Sequence, residues 1–293
     1  MVSPRDLRQL LKRYGIEPRR SRGQNFLIDG NVLQRIVAAA ELVAGEPVVE
    51  IGPGPGVLTE RLLAAGTDVW AIELDRQLAR LLAERFAGER RFHLIQQDVL
   101  AVAWPALWEQ MGQPKYVKVV ANIPYSITSP LLLRLREEAK RWERAVLLVQ
   151  KEVADRLTAR AGTKEYGALS VAIRSRFVVE RLATVPPTVF LPAPQVYSAL
   201  IRLTPLAQPL DQGVEEIFRE LTRAAFSQRR KMLRASLKGL AVPAEAWTSV
   251  SIDAERRGET LTPQEFASLA RVLAGLPDWR PVRVQEDEAE AND

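Results

Sequence analysis

The feature that most constrains this chain is a regular alternation, across its first half, of short apolar runs with helical stretches. The runs lie at 47–51, 68–74, 91–96, 116–121 and 145–150, and between them the stretches 58–65, 76–86 and 130–141 carry apolar residues at helical spacing. Strands that alternate with helices pair in parallel, because each crossover returns the chain to the same edge, and such a sheet is covered on both faces. Two later runs, 174–185 and 197–203, follow the last long helix and are positioned to close the sheet in antiparallel fashion. The expectation is therefore an α/β, Rossmann-like domain, mostly parallel with an antiparallel closing strand.

At 204–213 the texture changes, with Pro205, Pro209 and Gly213 marking a linker. Beyond it the helical segments 214–240, 244–249 and 263–274 predict a smaller, all-helical C-terminal domain. The expected organisation is a first domain over 1–205 with a basic N-terminal segment, a helical domain over 206–280, and a tail over 281–293. The last eight residues carry five acids and no base, a composition that favours disorder.

Residue usage excludes several chemistries. There is no cysteine and one histidine, His93, so disulfide frameworks, Cys/His metal sites, thiolate nucleophiles and Ser-His-Asp triads are all ruled out. His93 lies within a strand run with no evident partner and reads as structural. No apolar run approaches the ~20 residues of a membrane span, and the N-terminus has no secretory h-region, so a soluble, cytoplasmic protein with no membrane partner is expected. The net charge of +5 and pI of about 9.6, despite the acidic tail, point to a polyanionic partner such as nucleic acid. Residues 1–23 hold seven basic side chains against two acids, with Leu7, Leu10 and Leu11 at amphipathic-helix spacing.

Glu50-Ile51-Gly52-Pro53-Gly54-Pro55-Gly56 sits between the first long strand and its helix. Glycines there let the backbone approach a ligand at the carboxyl end of a parallel strand. The G-x-G-x-G spacing differs from the dinucleotide G-x-G-x-x-G, and Pro53 and Pro55 remove backbone donors that a pyrophosphate needs. A ligand without phosphates fits better, which disfavours a nicotinamide dehydrogenase. Glu73, at the end of the next strand, is placed to accept hydrogen bonds from two ribose hydroxyls. Asp75 is an alternative for that role, with Glu73 then a helix cap. Asp98 follows the third strand and either accepts from an adenine amino group or caps a turn.

Asn122-Ile123-Pro124-Tyr125 follows the fourth strand directly. An aromatic exocyclic amine is a poor nucleophile because its lone pair is delocalised into the ring. If the Asn122 side-chain oxygen and a backbone carbonyl near Ile123 accept its two hydrogens, the nitrogen is drawn toward tetrahedral geometry. Pro124 fixes the turn, and the Tyr125 ring offers a stacking face for an unpaired base.

With these motifs in order, the chain resembles the ribosomal RNA adenine dimethyltransferases of the KsgA family, which share a class I methyltransferase fold with the Erm enzymes. The resemblance runs from about Arg20 to Leu269 and includes Gly23-Gln24-Asn25-Phe26-Leu27, Gln150-Lys151-Glu152-Val153-Ala154-Asp155-Arg156-Leu157, Tyr166-Gly167-Ala168-Leu169-Ser170-Val171 and Phe190-Leu191-Pro192-Ala193-Pro194-Gln195-Val196-Tyr197-Ser198-Ala199. It implies S-adenosylmethionine as cofactor, contacted by Asn25, Leu27, Gly52, Glu73, Asp98 and Asn122. It also implies a target adenine held by Asn122 and Tyr125, with Phe190 stacking on its other face, although Phe190 by itself reads as core. The implied partner is the small ribosomal subunit, at two adjacent adenosines near the 3′ end of 16S rRNA, approached by a monomer. RNA binding is expected from the basic stretch 219–238, with Arg223, Arg229, Arg230, Lys231 and Arg234 as phosphate contacts; a solvated helix face is the alternative. An Erm-type large-subunit enzyme and a non-catalytic RNA-binding factor on the same fold are the rivals. Ser126 and Ser129 are candidates for making room for a methyl already on the amine.

Overall fold

A computed structural model of the chain describes residues 4–18, 23–277 and 279. The expected acidic tail at 281–293 and the basic residues Arg19, Arg20 and Arg22 lie outside the described residues. The chain divides into two compact units, one comprising residues up to Thr158 together with Phe177–Leu206, the other Ala159–Arg176 and the described residues from Ala207 on.

In the first unit the elements in chain order are α1 (Pro4–Arg13), β1 (Phe26–Leu27), α2 (Gly30–Ala40), β2 (Pro47–Ile51), α3 (Val57–Ala64), β3 (Asp68–Glu73), α4 (Arg76–Arg85), β4 (Phe92–Gln96), α5 (Trp104–Gln110), β5 (Val117–Asn122), α6 (Thr128–Glu137), β6 (Trp142–Gln150) and α7 (Lys151–Thr158). After α8 (Ala168–Arg174), which belongs to the second unit, come β7 (Phe177–Val185), β8 (Phe190–Leu191) and β9 (Ser198–Pro205). The seven-stranded sheet has the order β4-β3-β2-β5-β6-β9-β7, and β1 pairs separately with β8. Strands β2 to β6 are parallel; β9 is antiparallel to both β6 and β7.

Val48, Val69, Val120 and Val146 face one cluster with Leu33 and Ile36 of α2 and Leu62 of α3, and their alternates Val49, Val119 and Leu147 are equally buried. Burial on both faces is why these strands read as continuous apolar runs and not as alternating ones. The amphipathic α1 forms as its leucines require: Leu7 and Leu11 enter the same cluster while Arg5, Arg8, Lys12 and Arg13 are exposed.

The second unit contains α8, α9 (Gln212–Ser227), α10 (Leu233–Ser236), α11 (Ala244–Ser249) and α12 (Pro263–Gly275) around a core that includes Phe218, Leu221, Phe266 and Leu269. Two differences from expectation appear here. The segment 159–176 groups with this unit because Tyr166 and Val171 join its core, and the Tyr166 hydroxyl donates to the Leu261 carbonyl at 2.7 Å. The expected continuous helix over 214–240 breaks after Ser227. Backbone bonds from Leu233 N to Arg256 O at 2.7 Å and from Arg234 N to Ala254 O at 3.0 Å tie the following residues to a neighbouring segment, and these tertiary bonds override helix propensity.

Gly258 lies against α9, and a Cβ there would stand 2.7 Å from the Ala225 Cβ. Gly258→Ala is expected to destabilise the protein by about 1–3 kcal/mol through overpacking, and Ala225→Gly in the same chain should recover part of the loss. Thermal melts of wild type and the two variants check this; an unchanged melting temperature for Gly258→Ala refutes the close approach.

Candidate active site

A cavity of about 630 Å³ opens at the carboxyl ends of the parallel strands, lined by residues that follow β2, β3, β4 and β5 and by Gly23–Phe26 before α2. In the strand order the chain reverses between β2 and β5, and an open parallel sheet leaves its ligand crevice at such a point.

The glycine loop supplies the floor. Gly52 lines the cavity with φ of +66°, which a side chain disfavours, and a Cβ on Gly54 would meet the Phe26 ring at 3.0 Å. The Gly54 N–H donates to Glu73 Oε2 at 3.1 Å, and the Asp75 N–H donates to Glu73 Oε1 at 2.8 Å. Glu73 therefore braces the loop while facing the cavity. Asp75 is the cap of α4, its carboxylate accepting from Gln77 N and Leu78 N at 2.9 and 3.3 Å. Of the two acids Asp75 is the helix cap, and both line the cavity. Asp98 caps the turn, accepting from Leu100 N at 2.9 Å with one oxygen, and it also lines the cavity.

Burial dominates the electrostatics. It pushes the Glu73 carboxyl up to about 7, against the opposing pull of the Asp75 and Gly54 N–H bonds. Glu50, 1% exposed, is pushed up to about 8, again mainly by burial, with the Thr59 hydroxyl donating to Oε2 at 2.6 Å and lowering it in part. Glu50 Oε1 has no hydrogen-bond partner. It borders a second small cavity of about 30 Å³ that adjoins Gly52 and Asn122. Nothing in the sequence marks Glu50 beyond its place in the glycine motif.

Asn122, the last residue of β5, donates from Nδ2 to the Asn25 carbonyl at 2.9 Å, and the Asn25 side chain donates to the Gly23 carbonyl at 3.2 Å. With the amide so oriented, Oδ1 is the acceptor left for the cavity. The Pro124 carbonyl is taken by Ile127 N at 3.1 Å, whereas the Ile123 carbonyl accepts no hydrogen bond among the described residues. Tyr125 lines the cavity, and its hydroxyl is 2.7 Å from Ser198 Oγ, itself 0% exposed at the start of β9. Burial raises the Tyr125 phenol further above its ordinary range, so it stays protonated.

Not every expected site residue is in the cavity. Leu27 pairs with Phe190 across β1 and β8, and both side chains are core, Phe190 only 3% exposed; neither lines the main cavity. Apolar burial outweighs presentation to a ligand at both positions. Ser126 lines the cavity, but Ser129 is exposed on α6 and does not. His93 is structural, stacked on Trp70 at 4.2 Å with Nε2 at 2.9 Å from Asp68 Oδ1; its partner comes from the neighbouring strand, 25 residues earlier.

The basic stretch is not one charged face. Arg229 is bound to Glu259 and to the Thr163 and Lys164 carbonyls, Arg223 pairs with Glu220 at 2.7 Å, and Arg234 pairs with Glu255 at 2.7 Å. Arg230 and Lys231 are exposed and make no ion pair among the described residues.

The cavity suits a nucleoside joined to an amino acid: it is large enough, it presents carboxylates after β3 and β4, and its glycine loop offers few free N–H groups for phosphate. Fold and site together define a Rossmann-like, S-adenosylmethionine-dependent methyltransferase. Residues 16–275 match the ribosomal RNA adenine dimethylase family, and the chain belongs to that family. It is 44% identical over 283 residues, 93% of this chain and 97% of the relative, to ribosomal RNA small subunit methyltransferase A of Bacillus thuringiensis (strain Al Hakam). Among solved structures it is similar to a dimethyladenosine transferase from Plasmodium falciparum, with TM-score 0.72 and 26% identity over 83% of this chain and 95% of that one. It is also similar to the 23S rRNA methyltransferase ErmE, with TM-score 0.65 and 28% identity over 85% and 99%.

Glu50 and Glu73 both have folded pKa values above the ordinary carboxylate value. Their contribution to stability is full below about pH 4.5 and is lost as pH rises through about 7 to 8. Without ligand, the melting temperature is expected to fall between pH 6 and pH 9, and Glu50→Gln, which cannot ionise, should fall less. Parallel curves for the two proteins overturn this assignment.

Proposed function

We propose that this chain acts as a cytoplasmic monomer on the small ribosomal subunit, moving methyl groups to the exocyclic amines of two adjacent adenosines near the 3′ end of 16S rRNA. The observation that carries the reading is the fixed orientation of Asn122, whose Nδ2 is held by the Asn25 carbonyl so that Oδ1 is left as an acceptor. S-adenosylmethionine, held by Gly52, Glu73 and Asp98, supplies an electrophilic sulfonium methyl. Asn122 Oδ1 and the free Ile123 carbonyl accept the two hydrogens of the adenine amine and restore its lone pair. The Tyr125 ring stacks on the base, kept in place by Ser198. The work of these groups is alignment and fixed electrostatics, and no strong base is required because the methylated amine becomes acidic and then loses its proton. The similarity to small-subunit enzymes at 44% identity favours this substrate over the large-subunit RNA of ErmE.

After one transfer the amine donates one hydrogen bond, so one of the two acceptors is unpaired in the second round. The exposed Ser126 is the small side chain at the cavity that leaves space for the first methyl. Phosphate contacts in the helical unit fall to Arg230 and Lys231, which no acid among the described residues neutralises, with Arg223 and Arg234 available by exchanging partners. Arg229 is a structural brace first.

Asn122→Ala is expected to lower methyl transfer roughly a hundredfold or more, while cofactor affinity measured by calorimetry changes far less. Turnover within tenfold of wild type refutes the alignment role. Mass spectrometry of digested RNA, after reaction with small subunits lacking native methylation, should show dimethyladenosine as the main product. Monomethyl product alone, or transfer confined to large subunits, refutes the substrate. Arg230→Ala with Lys231→Ala should weaken RNA binding and flatten its salt dependence by about one to two units of log–log slope; equal affinity across salt concentrations returns both residues to solvent.

A further inference from the structure

A second groove of about 660 Å³ lies in the sheet-bearing unit, between α1 with its following turn and the end of β8. Its character is divided. Arg8 and Lys12 form one side, at i, i+4 spacing and therefore neighbours on the exposed face of α1. Ile16, Leu191 and Pro192 make an apolar wall, and Glu17 is the one acid at the edge. Neither Arg8 nor Lys12 makes an ion pair among the described residues, although Arg202, Arg144 and Lys118 of the same unit are all neutralised by acids. Unpaired cations beside an apolar wall match a ligand that joins an anion to a flat hydrophobic ring.

The position of the groove narrows the ligand further. Leu191 pairs with Phe26, and Phe26 lines the catalytic cavity. Among the described residues the two-stranded ribbon of β1 and β8, with a strand spacing of ~4.8 Å, joins groove and cavity. A nucleotide adjacent to a base seated in the cavity reaches that far.

Resting on the RNA-methylating function proposed above, we infer that this groove is a subsite for a nucleotide flanking the target adenosine. The base lies on Leu191 and Pro192, and the phosphate lies against Arg8 and Lys12. The subsite adds affinity for a single-stranded segment without reading its sequence, since the cations meet phosphate and an apolar wall accepts any base. It also sets direction, because only one side of the target nucleotide passes over the β1–β8 ribbon.

The test uses the full chain and small subunits lacking native methylation. Arg8→Ala with Lys12→Ala, both at exposed positions, should raise the KM for subunits about tenfold or more with a much smaller change in kcat. Affinity for S-adenosylmethionine should not change, and the difference from wild type should shrink as salt is raised. A photoreactive amino acid replacing Lys12 should crosslink to RNA within a few nucleotides of the methylated adenosines. An unchanged KM overturns the subsite, as do crosslinks only to remote RNA or to protein. If wild type itself fails to methylate small subunits, the substrate reading falls; if wild type is active and the double variant matches it, only the subsite falls.

Discussion

The site depends on one hydrogen bond, from the Asn122 amide to the Asn25 carbonyl at 2.9 Å. An amide has a donor end and an acceptor end of nearly equal shape, and in the function proposed above only the acceptor end serves an amine that donates hydrogen bonds. Joining the donor to a main-chain carbonyl fixes which end faces the cavity. The carbonyl is itself fixed by the β1–β8 pair that begins one residue later and by the Asn25 side chain closing on Gly23. Gly23 is packed so closely that a Cβ would stand 3.2 Å from Tyr125 N. The segment before the sheet is thus a mould for the turn after β5.

A second constraint is the burial of carboxyl groups behind that turn. Glu73 answers two backbone N–H groups and so couples the glycine loop to the end of β3. Glu50 is satisfied on one oxygen and not on the other. Keeping such groups out of water is tolerable because burial raises their affinity for protons, and a site built this way trades some stability for a fixed cradle.

Much of this was legible in the sequence, and the parts that were not share a cause. Strands β2, β3, β5 and β6 appeared as apolar runs because burial on both faces removes polar residues locally, whereas the edge strand β4 is only partly buried. The glycine loop, Glu73, Asp98 and Asn122 were legible because each sits at a strand end. What the sequence hid was nonlocal. Helix α9 ends where it does because backbone bonds come from residues 254–256, and Arg229 is withdrawn from the charged face by Glu259. Leu27 and Phe190 sit in the core because each has the other across a two-residue ladder. The assignment of 159–176 to the helical unit turns on a Tyr166 hydroxyl bond 95 residues away.

Strand β9 enters the sheet between β6 and β7, and its first residue, Ser198, holds the Tyr125 hydroxyl. The chain order therefore imposes an assembly order. During synthesis the five parallel strands β2 to β6, complete by Gln150, can pair among themselves, but the sheet keeps an unfilled edge and the tyrosine lacks its tether until residue 205 has left the ribosome. Long-range pairing of this kind is slow, and here it makes the tethered position of the Tyr125 ring one of the last features the nascent unit acquires.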